Sequence, residues 1–202
     1  MLSRLILPVL HAGDRVLDIG CGSGQLGRHI LAHPDCPPDV TIRGLEIHPR
    51  DDCFISVDRC EGAQFPYDDG SFDVVIFADV LHHWSDQVGL AREGARVAGR
   101  NVIIKDHQIS GFLAQAGICL IDWAANAPYG VPCLFKYHTP GQWESFPGKC
   151  GLSLVRAEDG IDLYPAGWNF FFGGKLQWMG ILGKLESGEA GDGGEPIPPR
   201  TI

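Results

Sequence analysis

The chain has 202 residues, enough for one domain with a single sizeable core, and its 45% hydrophobic content is that of a soluble globular protein. A formal net charge of −9, without any run of lysine or arginine, excludes a good electrostatic match to nucleic acid or an anionic membrane and favours small-molecule partners. No apolar stretch approaches the roughly 20 residues of a bilayer-crossing helix, the short apolar start shows no small-residue cleavage site before the first strand, and seven cysteines without a Cys-x-x-Cys pair point to reduced thiols, so the expectation is a cytoplasmic monomer or homodimer with no metal.

In chain order, the first buried-strand signal is RVLDI (15–19), followed by four glycines and then GQLGRHILAH (24–33), where Leu26, Ile30 and Leu31 share a helical face. A second strand, VTIRGL (40–45), is separated from a third, FISVD (54–58), by too few residues for a full crossover helix, so that helix is expected to be lost or reduced to a turn. FDVVIFA (72–78) is the fourth strand. SDQVGLAREGARVAG (85–99) is a helix with a Ser/Asp cap and a glycine stop, and NVIIK (101–105) is the fifth strand. Continuous apolar runs of this kind suit strands covered on both faces, and their alternation with helices predicts a parallel sheet.

Beyond Lys105 the texture changes. SGFLAQAGICLIDWAANA (110–127) reads as a helix, TPGQWESFPGKCG (139–151) as an irregular one, and LSLVRAEDGI (152–161) and KLQWMGILGK (175–184) as late strands. Between these strands lies the aromatic YPAGWNFFFGG (164–174), a cover for an acceptor or a piece of core. The predicted fold class is α/β: a doubly wound, Rossmann-like, seven-stranded sheet, mostly parallel with a late antiparallel strand. One domain is expected over 1–185, with an acceptor-covering insertion over 108–148 and a disordered Gly-, Pro- and acid-rich tail over 186–202.

The glycine turn fits two cofactors. Gly22, Gly24 and Gly27 satisfy G-x-G-x-x-G with Glu46 about 20 residues on, as a dinucleotide site requires. Yet Asp18 stands in the strand end ahead of the turn, where a carboxylate repels a phosphate and attracts an ammonium. The arrangement Asp18, Gly20, Gly22, Gly24 resembles the first motif of the class I S-adenosylmethionine-dependent methyltransferases, and EGAQFPYDDGSFDVVIFADVLHHWSD (61–86) is similar to that superfamily's stretch from the adenine loop through the fourth strand. The later pieces IKDH and DWAANAPYGVP are similar to a bacterial branch akin to methyltransferase type 11.

The resemblance implies S-adenosyl-L-methionine as cofactor. It places Asp18, Gly20, Cys21, Gly22 and Gly24 at the methionine end, Glu46 on the ribose hydroxyls, Glu61 and Gly62 at adenine, and Ala78 and His82 beside the cofactor. Methyl transfer to oxygen or nitrogen of a small-molecule acceptor needs alignment and, for a hydroxyl, a base; His107, next to Asp106 after the fifth strand, is the first choice and His83 the second. Asp122, Trp123 and Asn126 are spaced to line an acceptor pocket or simply to dock their helix. Cys133 lies too far downstream to serve as a cytosine-methylating nucleophile, and His48, Cys53 and Cys60 fit no standard zinc spacing. Two rival readings remain: a nicotinamide-dependent oxidoreductase, which needs a second mononucleotide-binding half, and a non-catalytic cofactor-binding regulatory partner.

Overall fold

The computed structural model describes residues 1–109, 111, 118–119, 123, 134–161 and 176–184. Within them the elements run α1 (Leu2–Ile6), a 3-10 turn (Leu7–Val9), β1 (Arg15–Ile19), α2 (Gln25–Leu31), β2 (Thr41–Glu46), β3 (Ser56–Arg59), β4 (Phe72–Ala78), a 3-10 turn (Leu81–His83), α3 (Gln87–Val97), β5 (Ala98–His107), α4 (Pro140–Lys149), β6 (Leu152–Asp159) and β7 (Gln177–Lys184). The seven strands form one sheet in the order β3-β2-β1-β4-β5-β7-β6. All neighbours are parallel except β7, which runs antiparallel to both β5 and β6. A second mononucleotide-binding half would add a sixth parallel strand beyond β5; the antiparallel β7 stands there instead, which removes the oxidoreductase topology.

Side-chain alternation sorts the sheet into two faces. Leu17, Ile19, Val75, Phe77, Val102 and Ile104 point to the layer that holds Leu90, Trp143 and Phe146. Val16, Ile42, Val74, Ile76 and Ile103 point to the other, with Ile6, Leu7 and Ile30. Asp86 caps α3 by accepting from the Gly89 N–H at 2.8 Å. The segment expected as an irregular helix forms α4, opened by a reciprocal capping box of Thr139 and Gln142 around Pro140 and carrying Pro147 in its interior. Its Trp143 stacks flat on Trp178 of β7 with ring centroids 4.3 Å apart, fastening the antiparallel edge to the parallel core.

The link from β2 to β3 contains no helix, as expected; its Phe54 N–H donates to the Ser23 carbonyl at 2.9 Å, so the link lies against the glycine turn. β5 starts at Ala98, directly after α3, and so absorbs the glycine expected to stop that helix. Ile118, Cys119 and Trp123 are helical. The remaining positions of the expected helix over 110–127, the centre of the insertion expected over 108–148, Asp122, Asn126, Cys133, the aromatic stretch 164–174 and the tail 186–202 lie outside the described residues.

Candidate active site

The chain reverses its direction of growth between β1 and β4, and in an open parallel sheet that switch point opens a crevice beyond the carboxyl ends of the strands. β1 delivers Asp18, β2 Glu46, β4 Ala78 with Asp79 directly after it, and β5 Lys105, Asp106 and His107 to this rim. Asp18 is flanked in the sheet by Gly44 and Ile76.

The turn after β1 needs glycine for two separate reasons. Gly20 has φ +63°, and a Cβ there would sit 2.6 Å from Val80 Cγ2; Gly22 has φ +56° but faces open space. The first glycine lets the turn close against the residues after β4. The second leaves a cradle that a side chain would fill.

Two carboxylates face this turn. Glu46 accepts from the Gly22 N–H at 2.9 Å through one oxygen and from the Ile47 N–H at 2.8 Å through the other. Asp18 is 2% exposed and its Oδ2 has no hydrogen-bond partner. Burial first, and the Glu46 charge second, push its carboxyl up to about 7. A buried acceptor with nothing to accept from is the feature a cationic amine beside the turn would complete, so the donor set fits the amino-acid end of S-adenosylmethionine and does not fit a diphosphate. Cys21 covers Gly44 with its sulfur, and burial together with Asp18 and Glu46 pushes the thiol up to about 12, an inert packing group.

The stretch expected at adenine is brought alongside by the Cys60 N–H, which donates to the Glu46 carbonyl at 3.0 Å. Glu61 pairs with Arg59 on the surface, and Gly62 is exposed next to it.

The three histidines cluster at this rim, with the His82 ring 5.1 Å from that of His107 and Tyr137 against both, but their carboxylate partners differ. Asp106 and His107 are consecutive in β5, so their side chains leave on opposite faces. The Asp106 carboxylate therefore does not meet the His107 ring, a pairing that the sequence left open. It meets His82, with Nδ1 2.6 Å from Oδ1, and accepts the His107 backbone N–H at 2.7 Å. Both Asp106 and His82 are buried, and the His82 ring holds the Asp106 carboxyl well below the usual carboxylate range against the cost of burial. His83 lies against His82 with ring centroids 4.0 Å apart, and Tyr137 flanks the same ring at 5.4 Å.

On the other face Lys105, 2% exposed, grips both oxygens of Asp79 at 2.5 and 2.6 Å. His107 Nε2 stands 3.5 Å from Asp79 Oδ1, while its Nδ1 faces Gln177 Nε2 at 3.2 Å. Burial pushes the His107 pKa down, so the ring is neutral near neutral pH. Sequence reasoning missed Asp79, Lys105 and Gln177. The available signal was Lys105 itself, a cation ending a strand covered on both faces, which demands a carboxylate nearby.

A family model described as a methyltransferase domain matches residues 17–104. Among curated proteins, the chain is 33% identical over 101 residues to the 27-O-demethylrifamycin SV methyltransferase of Amycolatopsis mediterranei (strain S699), covering 44% of this chain and 36% of that protein. It is 29% identical over 107 residues to the ajmaline N-methyltransferase of Rauvolfia serpentina, covering 46% of this chain and 35% of that protein. The matches span about a third of the length of these curated relatives. A solved SAM-dependent methyltransferase from Methanosarcina mazei superposes with a TM-score of 0.64 at 16% identity, over 90% of this chain and 97% of that one, a likeness of fold.

Proposed function

Since this chain belongs to the class I S-adenosylmethionine-dependent methyltransferase superfamily, we propose that it transfers a methyl group from S-adenosyl-L-methionine to oxygen or nitrogen of a small-molecule acceptor. The observation that carries the reading is the sealed, unpartnered Asp18 oxygen behind a glycine turn whose N–H group reaches Glu46. The cofactor, when bound, supplies a methyl group activated on a sulfonium.

The chain's residues divide the remaining work. Gly20, Cys21, Gly22 and Gly24 bring backbone against the amino-acid end, and Asp18 offers its oxygen to the ammonium. Glu46 exchanges its hold on the Gly22 N–H for the ribose diol, two acceptor oxygens for two hydroxyls. Glu61 and Gly62 lie where adenine extends, and Ala78 ends β4 beneath the reacting centre.

For the proton of an acceptor hydroxyl, the geometry supports the His82 and Asp106 pair more than His107. The ionised Asp106 carboxylate beside Nδ1 of His82 stabilises the ring once it gains a proton. His83, whose ring lies 4.0 Å from that of His82, is the second candidate to contact the acceptor. His107 has Gln177 at one ring nitrogen and Asp79 at the other, an arrangement suited to holding structure. The names of the two relatives, a 27-O-demethylrifamycin SV methyltransferase and an ajmaline N-methyltransferase, support a small-molecule acceptor. The acidic surface supports it too.

The experiment is incubation of the protein with methyl-labelled S-adenosylmethionine and a fractionated small-molecule extract, followed by mass spectrometry. Label in a small molecule, absent with the Asp18→Ala protein, is the expected result. Label confined to macromolecules would overturn the acceptor class, and failure to bind S-adenosylhomocysteine would overturn the cofactor.

A further inference from the structure

We propose that a cavity at the amino ends of β1 to β4, the end of the sheet opposite the crevice, is a second binding site that takes the phosphate or carboxylate group of a small metabolite. The inference is independent of the cofactor reading. Arg15, Thr41, Ser56 and Phe72 are the first residues of these four strands, whereas Asp18 and Glu46 stand near the far ends of β1 and β2.

The cavity holds about 380 Å³, and its lining includes Arg15, Thr41, Arg43, Ser56 and Phe72. Register puts the four polar side chains on one face of the sheet, since Arg15 pairs with Thr41 and Arg43 with Ser56. The links on both sides of β3 contain no helix. At this end the face therefore carries cations and hydroxyls in place of an apolar layer under a helix.

The charges form a row. Across β3, β2, β1 and β4 they run Asp58, Arg43, Arg15, Asp73, with the carboxylates on the outer strands and the two guanidiniums on the inner ones. Arg15 gives its Nε to Asp73 at 3.2 Å, and Arg43 gives its Nη1 to both oxygens of Asp58 at 3.0 and 2.9 Å. Among the described residues, both Nη groups of Arg15 and the Nε and Nη2 groups of Arg43 make no hydrogen bond. Two cations on neighbouring strands repel, and each outer carboxylate occupies only part of its guanidinium's donor set. An oxyanion between them completes the alternation of charge and accepts forked N–H bonds from both arginines. The hydroxyls of Thr41 and Ser56 add neutral donors. A cavity of this size takes more than a bare phosphate, and Phe72 offers an apolar wall to the body of the molecule that carries the group.

The test is a backbone-amide NMR titration with inorganic phosphate and with succinate, against sodium chloride at matched ionic strength. At least one of the two probes should saturate with a dissociation constant on the order of 1 mM, and the amides that shift should be those of Arg15, Thr41, Arg43 and Ser56. The tighter probe identifies the group. Arg15→Gln and Arg43→Gln should each weaken it about tenfold, while S-adenosylhomocysteine affinity, read by calorimetry, stays within about twofold of the parent. Arg43→Lys keeps the charge but loses the planar fork, and should weaken the probe about threefold or more; it carries the test if a glutamine variant does not fold. Shifts that never saturate, that chloride reproduces, that centre on the glycine turn, or that persist undiminished in the arginine variants overturn the proposal.

Discussion

The imidazole of His82 and the carboxylate of Asp106 meet at 2.6 Å, both sealed from solvent, although the two residues come from different strand ends and are 24 positions apart. This makes Asp106, buried at 1% exposure, the group that sets the protonation of the His82 ring. Replacing it with asparagine keeps the shape and removes the charge. Turnover of the acceptor found by label transfer should fall about a hundredfold or more, with S-adenosylhomocysteine affinity within about twofold of the parent. The pH dependence of turnover should move with it, because the ring loses the anion that stabilises its protonated form. Equal turnover in Asp106→Asn would assign the pair to structure alone.

Asp18 should make the unliganded protein pH-sensitive in a defined direction. Its folded pKa, about 7, lies above the unfolded value of 3.8. The folded state therefore holds the proton more tightly, so the stability associated with protonated Asp18 is complete below the unfolded pKa and is lost as pH rises toward the folded one. Asp18→Asn should be more stable than the parent at about pH 8, by on the order of 4 kcal/mol, and nearly equal to it below about pH 4. Urea denaturation at both pH values checks this. A variant less stable at the higher pH would contradict the buried-charge argument.

The same carboxyl predicts proton release on binding. If an ammonium settles beside Asp18, the carboxyl ionises fully, and between about pH 5 and 7 the complex should release protons. Calorimetry of S-adenosylhomocysteine in buffers of different ionisation enthalpy reads that number directly. The signal should vanish in Asp18→Asn.

Glu46 is tied to the Gly22 N–H in the unliganded chain, and the ribose is expected to take over that carboxylate. Glu46→Ala should weaken S-adenosylhomocysteine about tenfold or more, and the loss should shrink for a ligand lacking one ribose hydroxyl. Equal losses for the two ligands would remove the diol contact.

The glycines of the turn should respond unequally. Gly20→Ala combines a positive φ with a collision against Val80 and should cost roughly 2–4 kcal/mol of stability. Gly22→Ala meets no atom and should cost only about 1 kcal/mol, yet it should lower S-adenosylhomocysteine affinity because its methyl group enters the cradle. Thermal melts and calorimetry on the two variants separate these effects.

What the sequence by itself determined is what depends on neighbours along the chain. The alternation of buried strands and helices, the helix-free link after β2, the capped α3 and the acid ahead of the glycine turn were all legible from local pattern, because period, capping and turn geometry act over a few residues. Only the tertiary structure decided partners. Asp106 and His107 are adjacent in sequence, but the pleat sends them to opposite faces, so Asp106 finds His82 and His107 finds Asp79 and Gln177. Lys105 finds its carboxylate across the β4 and β5 pair, 26 positions away, because parallel register sets Ala78 beside Lys105 and leaves the next residue to turn back over it. Charge placement in a sheet is governed by face and register, and neither is a property of any one stretch of sequence.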